Sequence, residues 1–285
     1  MKPKVVLITG TSTGLGASTA LQLAQKGHRV YATMRDLSKK GELAAAMAKA
    51  NASMTLLQLD VQDMASVTAA VDAVMKSEGR IDVLINNAGA GYARSTEQAS
   101  LDDVTWVMDL NFMGVVRATK AVIPHMRKAR AGHIVNISSV GGLVGQPFNE
   151  IYCAAKFAVE GYTEALASYV QPHFGIKFTA VEPGGISSAF FASAIKKMEG
   201  SGGILDDEYA PIMQKYRDRS RSRGTAAFQT PDQVAEAVVN VVEAADPPVR
   251  IRTSAWAEDL CALKTASDPD GKKLQRKVIA DFLGD

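Results

Sequence analysis

The sequence predicts an α/β fold, a single doubly wound domain on a seven-stranded parallel sheet with helices on both faces. Three observations lead to it. Short apolar runs alternate with helical stretches along most of the chain. The runs are apolar almost throughout, as strands covered on both faces are. A glycine-rich turn joins the first run to the first helix.

KVVLIT (4–9) reads as the first strand, and GLGASTALQLAQKG (14–27) as a helix stopped at Gly27. RVYATM (29–34) is the second strand and MTLLQLD (54–60) the third, separated by a helical stretch near 40–50. A helix at 63–77 leads to IDVLIN (81–86), the fourth strand, and a long one at 101–128 leads to HIVNIS (133–138), the fifth. Two more units follow, a helix at 152–171 with GIKFTAVEP (175–183), then a helix at 231–244 with VRIRT (249–253). No linker divides the chain, so residues 1–285 form one domain: a core at 4–253, a charged substrate-side insertion at 185–230 and a C-terminal extension at 254–285.

Composition narrows the function. A net charge of +2 gives no support to nucleic-acid binding, and the basic run RDRSRSR (217–223) is short enough to be a solvated surface. Cys153 and Cys261 have no CxxC spacing, which argues against a disulfide framework or structural zinc. His28, His125, His133 and His173 are scattered and read as surface or helix-end residues, so no metal is expected. There is no apolar run of about 18 residues, and Met1 leads directly into the first strand. A cytoplasmic protein without a membrane span is the expectation.

ITGTSTGLG (8–16) places Gly10, Gly14 and Gly16 between a strand and a helix, with three residues between the first two where GxGxxG has one. Such a turn lets backbone approach a pyrophosphate at a helix N-terminus, a Rossmann-type device, although packing alone also explains some glycine turns. GxxxxGK[ST] is absent, which argues against a P-loop hydrolase. Tyr152 and Lys156 lie one helical turn apart on one face. By itself that pair is as consistent with a polar helix edge as with catalysis.

Together these segments resemble the short-chain dehydrogenase/reductase family over residues 4 to about 253. TGTSTGLG (9–16) is similar to the coenzyme loop, with Leu15 for the usual Ile, and NNAG (86–89) to the segment ending the fourth strand. Asn111 matches a helix Asn associated with a proton-relay water, Ser139 the catalytic Ser, and YCAAK (152–156) the YxxxK motif. VYATMRDL, SVGGLVGQPFNEIYCAAKFAVEG and the long tail look most like the branch of 17β-hydroxysteroid dehydrogenase type 1 and the retinol dehydrogenases. The resemblance implies catalytic Asn111, Ser139, Tyr152 and Lys156. It implies coenzyme contacts at Gly10, Ser12, Thr13, Gly14, Leu15, Gly16, Arg35, Asp60, Val61, Asn87, Ala88 and Gly89. Further contacts fall at Tyr152, Lys156, Pro183, Gly184, Ile186 and Ser188, the last replacing a more usual Thr.

The chemistry suits these residue types. Tyr152 would pass a proton to or from the substrate oxygen, with the Lys156 ammonium drawing its pKa down. Ser139 would stabilise charge growing on that oxygen. Gly141, Leu143, Val144, Asn149, Phe190, Phe191 and Met198 are the expected lining, suited to a small hydrophobic carbonyl or alcohol substrate. For the coenzyme, general spacing points to Asp36 and NAD(H), whereas strand register counted from Gly27 puts Arg35 where it would pair with a 2′-phosphate; NADP(H) is the expectation. A 3-oxoacyl-carrier-protein reductase, with a docking patch at Arg127 and Arg130, and a non-catalytic NADP(H)-binding redox sensor are the rival readings. Family likeness also implies a homodimer or homotetramer formed through the helices at 101–128 and 151–171.

Overall fold

The computed structural model describes residues 2–188, 190, 193–194, 203–222 and 228–283. Seven parallel strands form its sheet: β1 (Val5–Ile8), β2 (Arg29–Met34), β3 (Thr55–Gln58), β4 (Val83–Asn86), β5 (Gly132–Ile137), β6 (Ile176–Glu182) and, after a separate pair, β9 (Arg250–Arg252). Their order is β3-β2-β1-β4-β5-β6-β9. The chain leaves β1 for β2 on one side and reaches β4 on the other, so the crevice beyond β1 and β4 is the switch point where such sheets bind ligands.

Side chains alternate along each strand and feed two cores. Val5 and Leu7 pack with Ala118, Val122, Leu166 and Phe178, whereas Val6 and Ile8 pack with Leu23, Val30, Val234 and Val238. The first core is roofed by α3 (Met64–Glu78), α5 (Gly114–Ala129) and α6 (Glu150–Phe174), the second by α1 (Gly14–Gln25), α2 (Gly41–Ala50) and α8 (Pro231–Glu243). Helix ends follow their sequence signals. Gly27 and Gly79 take left-handed backbone just past α1 and α3, and Thr230 with Gln233 forms a complete capping box on α8.

Three differences from the sequence reading have physical causes. The stretch at 101–128 is not one α-helix: α4 (Leu101–Met108) passes through a π turn, Asp109–Met113, before α5. The buried Asn111 holds that turn to the chain beyond β4, its Oδ1 accepting from Ala90 N at 3.1 Å and its Nδ2 donating to the carbonyls of Ala90 and Val107. Within the insertion, β7 (Gly185–Ile186) pairs with β8 (Phe228–Gln229), and α7 (Ala210–Ser222) lies between them in sequence. The extension folds back as α9 (Ala255–Thr265), packed on Val140 and Leu143, and α10 (Lys272–Leu283), whose Gln275 Nε2 donates to Ala167 O at 2.7 Å.

The histidine reading is corrected in part. His133 is buried in β5 and His28 is buried beside β1, accepting from Lys4 N at 3.1 Å. No helix among the described residues is long and apolar enough to cross a membrane.

Candidate active site

The glycine turn is shaped by close approach. Gly10 and Gly14 have φ of 71° and 61°, the left-handed region that other residues avoid. A Cβ at Gly10 would lie 2.8 Å from Ala88 Cα, and one at Gly16 would lie 2.3 Å from the Gly10 carbonyl and 2.4 Å from Asn87 Nδ2. Asn87 makes that packing specific: its Nδ2 donates to Thr9 O at 2.9 Å and Gly10 O at 2.8 Å. Thr9 Oγ1 in turn accepts from the backbone of Asn87 and Ala88, each at 3.0 Å. Thr9 was quoted in the loop but not singled out.

At the start of α1, Thr13 is the N-cap residue, yet its side chain makes no capping bond, and no acidic residue stands in the first turn. The leading N–H groups are thus left for an outside acceptor, which a coenzyme pyrophosphate fits. Ser12 is half-buried beside them, and Gly14 faces Ser188, whose Cβ would lie 3.4 Å from an added one. Leu15 is buried in the core, so only its backbone is available.

Farther along the sheet edge, Asp60 accepts from Gln62 N at 3.0 Å, and Val61 packs against Gly114. Arg35 and Asp36 are both exposed beyond the buried Met34. Asp36 caps the short turn Leu37–Lys40, accepting from Ser38 N at 2.9 Å, and that bonding holds its carboxyl below the usual range. The Arg35 guanidinium makes no hydrogen bond or ion pair among the described residues.

At the strand ends, Ser139 N-caps a short turn, Val140–Gly142, with its Oγ accepting from Gly141 N at 3.0 Å. Pro183 O accepts from Val140 N at 3.0 Å and ties this turn to the 183–188 segment, which carries Gly184 and Ile186 past the glycine loop. Tyr152 is half-buried on α6, and its hydroxyl lies near enough to Ser139 for that residue to act on its titration. The buried Lys156 donates from Nζ to Ile137 O at 2.8 Å and sits 5.8 Å from the Tyr152 ring centre. Gly89 forms the floor between them: a Cβ there would lie 2.7 Å from Asn111 Oδ1 and 3.8 Å from Lys156 Nζ. The structure therefore brings Asn111, Ser139, Tyr152, Lys156 and the glycine turn together at one end of the sheet.

Electrostatics corrects one expectation. Burial raises the Tyr152 pKa above the ordinary phenol value, and Ser139 only partly offsets this. Lys156 is not among the groups that draw it down: its ammonium gives one N–H to Ile137 O and is itself brought down to about 8 by burial. In this state Tyr152 is a held proton, not a phenolate.

The lining needs a second correction. Leu143 is buried against Ala257 and Cys261 of α9, and Val144 packs on the same group, so both support the wall from behind. Gly141 does face the site, since a Cβ on it would lie 3.3 Å from Ser139 Oγ and 3.5 Å from Tyr152 Cε1. The Phe190 ring stands 5.9 Å from that of Tyr152, and Asn149 donates to the Tyr216 hydroxyl at 3.0 Å. Phe191 and Met198 lie outside the described residues. An open cleft of about 660 Å³ is bordered by Cys153, Ala154 and Phe157, on the side of α6 away from Tyr152 and Lys156.

Asn86 of the NNAG segment braces the site with two residues that the motifs did not flag, Asn136 and Thr163. Asn86 Nδ2 donates to Asn136 Oδ1 at 2.8 Å, and Asn136 Nδ2 to Thr163 Oγ1 at 2.9 Å, locking β4, β5 and α6 through buried amides. An Asn inside the apolar run HIVNIS was the available signal.

Comparison with known proteins addresses the family of the chain. Retinol dehydrogenase 8 of Bos taurus is 41% identical, with 94% of this chain and 87% of the relative covered. The 17-beta-hydroxysteroid dehydrogenase type 1 of Homo sapiens is 37% identical over 100% of this chain and 88% of the relative. The crystal structure of an actinorhodin polyketide ketoreductase with NADPH gives a TM-score of 0.76 at 28% identity, over 91% of this chain and 97% of that one. The sequence model described as short chain dehydrogenase matches residues 4–199, which carry the glycine turn, the NNAG segment and the Ser139–Tyr152–Lys156 group. With fold, motifs and relatives converging on one nicotinamide-binding oxidoreductase architecture, the chain belongs to the short-chain dehydrogenase family.

Proposed function

We propose that the protein is an NADP(H)-dependent oxidoreductase that interconverts a hydrophobic ketone or aldehyde and its alcohol. The observation carrying this reading is the meeting of Ser139, a protonated Tyr152 and Lys156 beside an uncapped helix N-terminus. Bound coenzyme would supply or accept the hydride. Tyr152 gives its phenolic proton to the oxygen that becomes an alkoxide during reduction, and the Ser139 hydroxyl donates to the same oxygen. Lys156, one turn along, orients the coenzyme ribose, while Asn111 holds the floor of the site through its bonds to Ala90. Arg35, whose guanidinium has no partner among the described residues, suits a 2′-phosphate.

The ring of Phe190 beside Tyr152 and the side-chain-free Gly141 and Gly91, next to which Phe190 packs, support a hydrophobic substrate. Two relatives are named for retinol and a 17β-hydroxysteroid, lipids in both cases. A carrier-protein docking patch receives no support, because the Arg127 and Arg130 guanidinia stand over the Phe174 ring at 6.0 and 5.7 Å.

The test is Tyr152→Phe, assayed with NADPH and with retinal and a 17-ketosteroid. NADPH affinity should stay within about threefold while turnover falls about a thousandfold, the transferable proton being gone. Near-normal turnover by the variant would sink the mechanism.

A further inference from the structure

Lys156 and Glu160 are four residues apart on α6, the spacing at which a lysine and a carboxylate normally pair. No ion pair joins them; the ammonium goes to Ile137 O instead. Glu160 is 5% exposed and Glu182, at the end of β6, is fully buried. Among the described residues neither oxygen of Glu160 meets a donor at hydrogen-bond geometry, and neither Glu182 Oε1 nor Ser138 Oγ has a hydrogen-bond partner. What faces Glu160 is the Ser138 hydroxyl and the Glu182 carboxyl.

The surrounding charges decide which acid is ionised. Glu182 Oε2 accepts from Arg252 Nη1 at 3.0 Å, and Arg252 Nε reaches Glu258 of α9 at 2.9 Å. Arg250, also on β9, pairs with Glu164 of α6. The Cys261 thiol of α9, pushed up to about 11, is neutral. Both arginines therefore have carboxylate partners, and beyond them only the unbonded Nε side of Arg250 and the Lys156 ammonium remain to balance a second buried negative charge. Two adjacent carboxyls in a dry site do not both ionise.

We propose that Glu160 and Glu182 share one proton behind the Ser139 turn, and that Glu160, kept neutral, is a positioning residue that leaves the Lys156 ammonium for the Tyr152 and coenzyme side of the site. The second half rests on the coenzyme role proposed above for Lys156. Burial and the neighbouring Glu182 hold the Glu160 carboxyl well above the ordinary range. Glu160 also touches the catalytic turn, since a Cβ on Gly142 would lie 2.9 Å from Glu160 Cγ and 2.7 Å from Ser138 Oγ. A charge on Glu160 would pull Lys156 down the helix and disturb that turn at once.

The test follows the Lys156 titration by NMR of lysine labelled with carbon-13 at Cε, the resonance being assigned by its loss in Lys156→Met. Glu160→Gln should leave the midpoint within about 0.3 unit of wild type, because one neutral group replaces another; removal of a charged Glu160 would lower it by about one unit or more. Glu182→Gln offers Glu160 an amide donor in place of an acceptor, so Glu160 ionises and the Lys156 midpoint rises by about one unit. Thermal unfolding gives an independent reading. The native chain holds a proton that an unfolded glutamate releases above about pH 4.3, so wild type should lose ground to Glu160→Gln as pH rises from there through the folded midpoint. Parallel pH curves, or a Lys156 midpoint lowered by a full unit in Glu160→Gln, would overturn the shared proton. Both readouts are taken without coenzyme, so a failure to bind NADPH would count against the functional reading alone.

Discussion

Lys156 costs the fold stability that its function returns. Its ammonium is buried with a single carbonyl partner, and burial brings its pKa from 10.5 down to about 8. That difference corresponds to about 3 kcal/mol against the charged form. The native state binds fewer protons than the unfolded chain between those two values, so the penalty is full below pH 8 and fades as pH rises toward 10.5. Lys156→Met removes the charge at similar length and gives back about 1 kcal/mol by orphaning the Ile137 carbonyl. The variant should be more stable than wild type at pH 7 by about 1–2 kcal/mol, a Tm rise of about 2–5 °C, with no gain left near pH 10. Thermal unfolding at the two pH values checks this; equal stability at pH 7 would mean the lysine is not strained. Arg35 is the opposite kind of residue, exposed and unpaired among the described residues, hence nearly free of structural cost. Arg35→Ala should leave Tm unchanged within about 1 °C and lower the NADPH-over-NADH ratio of kcat/KM by about tenfold, mainly through KM. A preference for NADH insensitive to Arg35 but lost on changing Asp36 would favour the spacing rule that pointed to Asp36.

Among the elements, β5 shows how a titratable side chain can be absorbed by a sheet. His133 is buried in that strand, with Nε2 2.9 Å from Thr179 Oγ1. Thr179 spends its one proton on Pro248 O, so the imidazole must donate from Nε2. Burial brings its pKa down to about 3. Because the folded value lies below the unfolded one of about 6.5, stability from this site is complete above pH 6.5 and is lost as pH falls toward 3, about 2 kcal/mol by pH 5. His133→Gln, a neutral donor, should flatten the fall in Tm between pH 7 and 5; an equal slope in both proteins would show that His133 does not titrate this way. The same strand marks what could be read in the sequence. Its apolar run announced β5, and Ser139 at its end was recognised from spacing to Tyr152, since periodicity and motif are local properties. His133 and Asn136 were not interpretable, because whether a polar residue in a strand faces solvent, Thr179 or the Asn86 amide depends on neighbours far away in sequence. The π turn around Asn111 was hidden for the same reason: the bonds to Ala90 that hold it cross between elements.

At the scale of the whole molecule, α3, α5, α6 and α10 form one layer under the sheet, and α6 presents an outer face of unusual composition. Ala154, Phe157, Gly161, Ala165 and Tyr169 are exposed on it, while its charged residues Lys156 and Glu160 are buried and Glu164 is paired with Arg250. Met113 adds a further exposed apolar side chain beside α5, and Phe112 meets Tyr162 edge-on at 5.9 Å to make the two helices one surface. A solvent-facing helix ordinarily carries charge on that side. Small residues on an uncharged stripe instead let a second helix approach closely, which fits a two-fold contact in which the same face of α5 and α6 is used by both copies. Tail helix α10 runs along one edge of this face: Leu274, Gln275 and Val278 line a cavity with Gly161 and Ala165, and Gln275 bonds to Ala167 and Gln171. The protein is therefore expected to be at least a homodimer. Gly161→Lys separates fold from assembly, since a Cβ at Gly161 would meet nothing within 4 Å in its own chain and lysine is the better helix former. By light scattering at micromolar concentration, wild type should have at least twice the chain mass, and Gly161→Lys should be monomeric with its circular dichroism unchanged. A wild type that is monomeric, or a variant that remains associated, would place the contact elsewhere or remove it.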